Sequence, residues 1–127
     1  MSLIVERIDH PSLCVVPVSK GGRITGLLAE LLNPVDPSSF HEYRLPANTD
    51  VELHYHDFDE YWMFLSGQPK VTLRLPTGVS QTLQLSPGDM VACVRGVEHT
   101  LWADHELVYL QFSSILQGNE RRGHLIR

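Results

Sequence analysis

Short runs that alternate apolar and polar residues, punctuated by turn formers, fill most of the chain. The clearest is Pro69-Lys-Val-Thr-Leu-Arg-Leu-Pro76, which sets Val71, Leu73 and Leu75 on one face and Thr72 and Arg74 on the other. A period of two is that of a half-buried strand. Turn-forming clusters recur at 20–22, 33–39, 46–48, 66–69, 76–78, 86–89 and at Gly96. Between them the pattern predicts strands at 40–45, 51–56, 60–65, 70–75, 81–85, 90–94, 98–102 and 107–112. Short strands repeating every 8–12 residues are the mark of an all-β sandwich or barrel. Residues 23–32 are ambiguous. Leu27, Leu28, Leu31 and Leu32 have helical spacing, yet the stretch follows Gly21-Gly22 and also suits a strand covering a barrel.

A chain of 127 residues has room for one core. We divide it into an N-terminal arm (1–22), a barrel (23–115) and a C-terminal tail (116–127). The tail holds Gly118, Asn119, Arg121, Arg122 and Gly123 and reads as a mobile or loosely docked end. The arm carries Leu3, Ile4, Val5, Ile8, Leu13, Val15 and Val16, which want covering, so a homodimer with the arm packed on the partner is expected.

Composition narrows the function classes. With 43% hydrophobic and 20% charged residues the chain is neither disordered, collagen-like nor a coiled coil. A net charge of -5 with ten Lys plus Arg argues against nucleic acid and against an anionic membrane surface. No apolar run reaches the roughly 18 residues that span a bilayer. Glu6, Arg7, Asp9 and His10 interrupt any signal-peptide core. Cys14 and Cys93 are far apart and lack CxxC spacing, so no disulfide is expected and the cytoplasm is the expected compartment. Cys93 reads as a small buried core residue.

Histidine occurs seven times, and its placement matters more than its number. His54-Tyr-His56-Asp-Phe-Asp-Glu60 reads H-x-H-x3-E. On a strand, i and i+2 share a face, so two imidazoles there can converge on one metal ion. A turn through 57–59 brings Glu60 beside them, and Gly67 ends the strand that follows. By chance this spacing is expected about 0.02 times in a chain of this composition. His99 follows a Ser86-Pro87-Gly88-Asp89 turn and a break at Gly96, and supplies a fourth ligand from a neighbouring strand.

These residues resemble the two motifs of the cupins, G-x5-H-x-H-x3,4-E-x6-G and G-x5-P-x-G-x2-H-x3-N. The chain matches His54, His56, Glu60 and Gly67 of the first, and Gly88, Gly96 and His99 of the second. It departs at the opening glycine of the first (Asn48), and at the proline (Val94) and closing asparagine (Ala103) of the second. Those are turn residues and neighbours of the ligands; the ligand positions are intact. The resemblance implies a single-domain double-stranded β-helix, a jelly-roll barrel with one divalent metal ion in its mouth. It leaves the reaction open among dioxygenases, isomerases, decarboxylases, lyases, storage proteins and ligand-sensing domains.

Three imidazoles and one carboxylate suit Fe, Mn, Ni, Cu or Zn and leave open positions on the ion, a catalytic arrangement rather than a closed structural one. If Glu60 points inward, alternation sends Trp62 and Phe64 inward as well. Leu101 shares the face of His99. Tyr43 and Arg44 precede the first motif, and an arginine at the mouth would suit a carboxylate or phosphate. Tyr109 and Gln111 share one face of the last strand. These seven are the candidate pocket. Tyr55 should point away from the metal. Asp57 and Asp59 read as turn residues, Asp59 being a weaker candidate acid or base. His10, His41, His105 and His124 fit no motif and read as surface or hydrogen-bonded histidines. The expected function is a metal-dependent oxygenase, or a sugar or organic-acid isomerase or lyase, with no acid or base assigned. The alternative is a non-catalytic module that holds a sugar or organic acid through its metal; a storage protein fits four intact ligands poorly.

Overall fold

The structure, a computed structural model, describes the strand Leu13–Pro17, Glu30 and residues 32–127. Among the described residues eight strands form: β1 (Leu13–Pro17), β2 (Val35–Leu45), β3 (Glu60–Ser66), β4 (Lys70–Arg74), β5 (Ser80–Gln84), β6 (Asp89–Cys93), β7 (Glu98–Trp102) and β8 (Leu107–Ser114). They make two antiparallel sheets, one of order β1-β6-β3-β8-β2 and one of order β5-β4-β7. This is the expected all-β jelly roll.

Alternation decides what lies between the sheets. On β4 the apolar Val71 and Leu73 are fully buried, as the period of two predicts. They meet Trp62 and Phe64 of β3, Val91 of β6, Leu101 of β7, and Leu107 and Tyr109 of β8 in one core. Each aromatic ring removes roughly 150–250 Å² from water, which makes Trp62 and Phe64 anchors of the fold. The turns at 46–48, 76–78, 86–89 and Gly96 fall where the sequence placed them. The Ser86–Asp89 turn closes through Asp89 N–H on Ser86 O at 3.1 Å, and the Asp89 carboxylate accepts from Ser86 N–H at 2.9 Å.

Three expectations change. Residues 51–56 form no strand; the segment runs beside β7 and bridges it only at His54, after which Tyr55 pairs with Leu125. A ladder needs one continuous neighbour, and here the neighbour switches between consecutive residues. Residues 36–39 are a bulge inside β2 rather than a turn before it. There Asp36 Oδ1 accepts from Ser38 N–H and Oγ at 2.9 and 2.7 Å, a local bond set that competes with the ladder. Leu13–Pro17, assigned to the arm, pairs with β6 of its own chain. The tail, expected as a mobile or loosely docked end, docks where Leu125 and Tyr55 exchange two 2.9 Å backbone hydrogen bonds. Most of the ambiguous stretch 23–32 and the rest of the arm lie outside the described residues. No described helix is long and apolar enough to cross a membrane.

Candidate metal centre

Glu60 sits at the start of β3, the middle strand of the larger sheet, with Cys93 of β6 on one side and Ser113 of β8 on the other. His99 is on β7 of the smaller sheet, opposite Leu73. The two sheets thus present a carboxylate and an imidazole to each other. His54 joins them because its N–H and C=O both bond the backbone of His99, at 3.2 and 2.7 Å. His56 follows two residues on, tethered where Gly96 N–H donates to His56 O at 2.8 Å. One ligand atom from each of His54, His56, Glu60 and His99 lies within 4.8 Å of every other, and all four residues are buried. The four can hold a metal ion.

Their hydrogen bonds show which ring nitrogens face the centre. The Nδ1 of His54 lies 2.7 Å from Glu52 O, that of His56 2.8 Å from Gly123 O, and that of His99 3.2 Å from Val97 O. A carbonyl only accepts, so each Nδ1 carries a hydrogen, and each Nε2 is the nitrogen that faces the centre, with a lone pair whenever the ring is neutral. The Nε2 atoms of His56 and His99 are 3.3 and 3.4 Å from the two Glu60 oxygens, but neither has a partner with hydrogen-bonding geometry. Buried lone pairs without donors, aimed at one point, are what a divalent cation satisfies. The Trp62 indole N–H donates to Glu60 Oε2 at 3.0 Å and fixes the carboxylate plane.

The charges agree with this geometry. Burial pushes His54 down to about 4, so it is neutral at ordinary pH. Burial also disfavours an ionised Glu60, but the His56 and His99 rings beside it more than offset that and hold the carboxyl below the usual carboxylate range. His56 is raised: burial opposes its charged form, and the adjacent Glu60 outweighs burial. A proton and a metal ion compete for the same His56 nitrogen, so metal uptake releases protons.

Two small cavities flank the cluster. One, of about 170 Å³, is lined by Tyr43, Val51, His54, Glu60, Trp62, Leu101, Tyr109, Gln111 and His124. The other, of about 250 Å³, reaches His41, His56, Phe58, Glu60, Gln111 and His124. Five of the seven pocket candidates, Tyr43, Trp62, Leu101, Tyr109 and Gln111, line the first cavity. Phe64 does not; it is wholly buried behind Trp62 and Tyr109, as core. Arg44 does not either. It is the next residue after the inward Tyr43, so strand parity turns it to solvent, where it pairs with Glu106 and Glu42 at 3.3 and 3.6 Å. Asp59 is no acid or base at the site. Wholly buried, it accepts from Asn33 N–H, Arg95 N–H and the Arg95 guanidinium at 2.9–3.1 Å, a junction for three segments.

Sequence reasoning missed His124. Its ring stacks on His54 at 4.2 Å between centroids, and it lines both cavities. No spacing signal existed, because His124 reaches the site through the docking of its segment on Tyr55 and Asp57, far away in the sequence. Cys93 is buried behind Glu60, and burial pushes its thiol well up, as befits an inert core residue.

Comparison with known proteins follows the same lines. The cupin domain profile matches residues 41–112. Over 83 residues the chain is 36% identical to the uncharacterized protein y4oW of Sinorhizobium fredii, covering 63% of this chain but only 35% of that protein. Among solved structures, the formate complex of the Lactobacillus farciminis oxalate decarboxylase overlays with a TM-score of 0.55 at 18% identity, over 86% of this chain and 31% of that one. The Staphylococcus aureus capsular polysaccharide assembling protein CapF overlays at 0.56 with 13% identity, over 68% of this chain and 25% of that one. The Streptomyces albus HEPD with 2-hydroxyethylphosphonate and Fe(II) bound overlays at 0.50 with 22% identity, over 84% of this chain and 22% of that one. At these identities the overlays establish the fold alone.

Proposed function

The chain belongs to the cupin domain family, and from that premise we propose that it is a divalent-metal enzyme acting on a small, oxygen-rich organic molecule. The observation that carries the reading is the triple Nδ1-to-carbonyl arrangement, which leaves three imidazole Nε2 atoms free around a buried, ionised Glu60. A divalent ion held there supplies Lewis acidity toward oxygen atoms of a substrate.

The remaining side chains define what the substrate meets. Both cavities fall below the roughly 300–1,000 Å³ of drug-sized sites, which favours a small molecule. Trp62, Tyr43 and Tyr109 give one cavity an aromatic wall, and Gln111 offers an amide donor and acceptor to both. Burial lifts the Tyr109 hydroxyl to about 12, so it keeps its proton and can donate to a substrate oxygen. Among the described residues, Glu60 is the one carboxylate lining either cavity. That favours chemistry that needs no second carboxylate as base: an oxygenase, or an isomerase or lyase that moves a proton through a tyrosine or histidine. The same reading takes the chain as a homodimer, which light scattering checks.

The test is turnover. Protein loaded in turn with Fe(II), Mn(II), Ni(II) or Zn(II) is offered sugars, keto acids and phenolics, followed by oxygen uptake and by NMR of products. Turnover in one loaded form, lost in His99→Ala, is the expected result. Tight binding without turnover would make the chain a metal-dependent binding module instead. Neither binding nor turnover would overturn the reading.

A further inference from the structure

The three imidazoles are not held alike. His54 and His99 take their Nδ1 acceptors, Glu52 and Val97, from two residues away on their own segments. His56 takes its acceptor from Gly123, 67 residues along the chain. The neighbouring His124 stacks on His54 at 28° between ring planes and meets His56 edge-on at 5.0 Å. The segment 121–125 is pinned at both ends. Leu125 and Tyr55 exchange backbone hydrogen bonds at 2.9 Å. Arg121 grips Asp57 with its N–H at 2.8 Å and its guanidinium at 2.7 and 3.1 Å.

We propose that the C-terminal segment 121–125 is a positioning element of the metal centre: by giving His56 its carbonyl acceptor it fixes which ring nitrogen is left for a divalent cation, so segment docking and metal binding are coupled. The inference rests on the metal-binding reading above. Without the Gly123 carbonyl, the His56 ring is free to take the other tautomer or to rotate, and each Nε2 that must be reoriented weakens the site. The Arg121–Asp57 pair is partly solvent-screened, with 62% of the Arg121 side chain exposed, so it contributes little alone. A docked state held by a few bonds is one whose population metal binding can shift, and linkage makes the coupling reciprocal. The same docking sets His124 as the wall shared by both cavities, so undocking opens the cluster to solvent and substrate.

Two full-length variants test this. Leu125→Pro removes the N–H given to Tyr55 O, and Arg121→Ala removes the guanidinium grip on Asp57. Zn(II) and Mn(II) dissociation constants are measured by competition with a chromophoric chelator, and amide hydrogen exchange is followed at Tyr55 and Leu125 with and without the ion. Expected is a 10–100-fold weaker affinity in Leu125→Pro at unchanged stoichiometry, and a smaller loss in Arg121→Ala. In the wild-type chain the ion should slow exchange at Tyr55 and Leu125 by a comparable factor. A segment that only stabilises the fold would lower the thermal midpoint and leave affinity and ion-dependent exchange unchanged. Variants that fold and bind as tightly as wild type, with exchange indifferent to the ion, overturn the coupling while the metal reading stands. A wild-type chain that takes up neither ion overturns both.

Discussion

Two halves of the candidate centre are built differently. Glu60 is on a strand paired on both sides, with Cys93 and Ser113 as neighbours, and His99 lies between Leu73 and His54. His54 and His56 lie outside any strand, on a segment held by one bridge to β7 and one to the C-terminal tail. Ladders fix the first half through backbone bonds that every residue type can make. The second half depends on a handful of specific contacts from a distant part of the chain. The first half is carried by paired strands and the second by specific contacts between segments.

The largest stability effect is expected where the halves join. Asp59 precedes Glu60 and ties Asn33 and Arg95 to it from a fully buried position. Asp59→Ala leaves these donors without their acceptor and should cost about 2–4 kcal/mol in urea unfolding; a cost near zero would show that the junction holds nothing. Next comes Gly67, which ends β3 at φ +93°. An added Cβ would lie 2.6 Å from Leu107 Cδ2 and 2.9 Å from Glu106 O, so Gly67→Ala should cost about 1–3 kcal/mol. Gly78, at φ +94° with open space around it, should cost less on the same change. Equal losses at the two glycines would mean that the close approach at Gly67 is relieved cheaply.

A smaller effect appears with pH in metal-free protein. His54 titrates near 4 when folded and near 6.5 otherwise. Above 6.5 neither state holds the proton. As pH falls from 6.5 towards 4, only the unfolded chain takes it up, so stability declines, and the decline levels off below about 4. Glu60, held below its usual range, adds a loss of the same sign at lower pH. His56 is raised, so its contribution is full below 6.5 and is lost only as pH rises through its folded value. The thermal midpoint of chelated protein should therefore fall between pH 6.5 and 4, and fall less in His54→Ala; an identical fall in both would remove His54 as the cause. The smallest effect belongs to Arg44→Ala. Its solvent-exposed pairs with Glu42 and Glu106 should leave both the unfolding midpoint and metal affinity unchanged. A clear drop in affinity would place Arg44 at the centre after all.

The same division explains what could be read in advance. The strand-borne half was legible: alternation placed Val71 and Leu73, motif spacing placed Glu60 and His99 and alternation from these placed Trp62 and Leu101, and the turns at Gly67, Gly88 and Gly96 all take positive φ. Even a departure makes sense there. Asn48, where the related motif has glycine, adopts φ +58°, a left-handed conformation that asparagine tolerates better than most residues. The loop-borne half was only partly legible. The spacing of His54 and His56 brought their rings together, 5.2 Å apart, without the strand that the pattern implied. Gly123, His124 and Leu125 were invisible as site residues, because their place depends on the docking of their segment on the sequence-distant Tyr55 and Asp57. The inward side of Tyr43, and hence the exclusion of Arg44, was undecidable until the β2–β8 register opposed Tyr43 to Tyr109.

The central claim is that His54, His56, Glu60 and His99 hold one divalent ion through imidazole nitrogens kept free by backbone carbonyls. Its most direct test is metal content by plasma mass spectrometry, on untagged protein prepared without chelators and then offered Fe(II), Mn(II), Ni(II) and Zn(II). Near-stoichiometric uptake of at least one ion, lost in both His54→Ala and His99→Ala, is the result this account predicts. No uptake of any of the four, or uptake unchanged in the two variants, would contradict it.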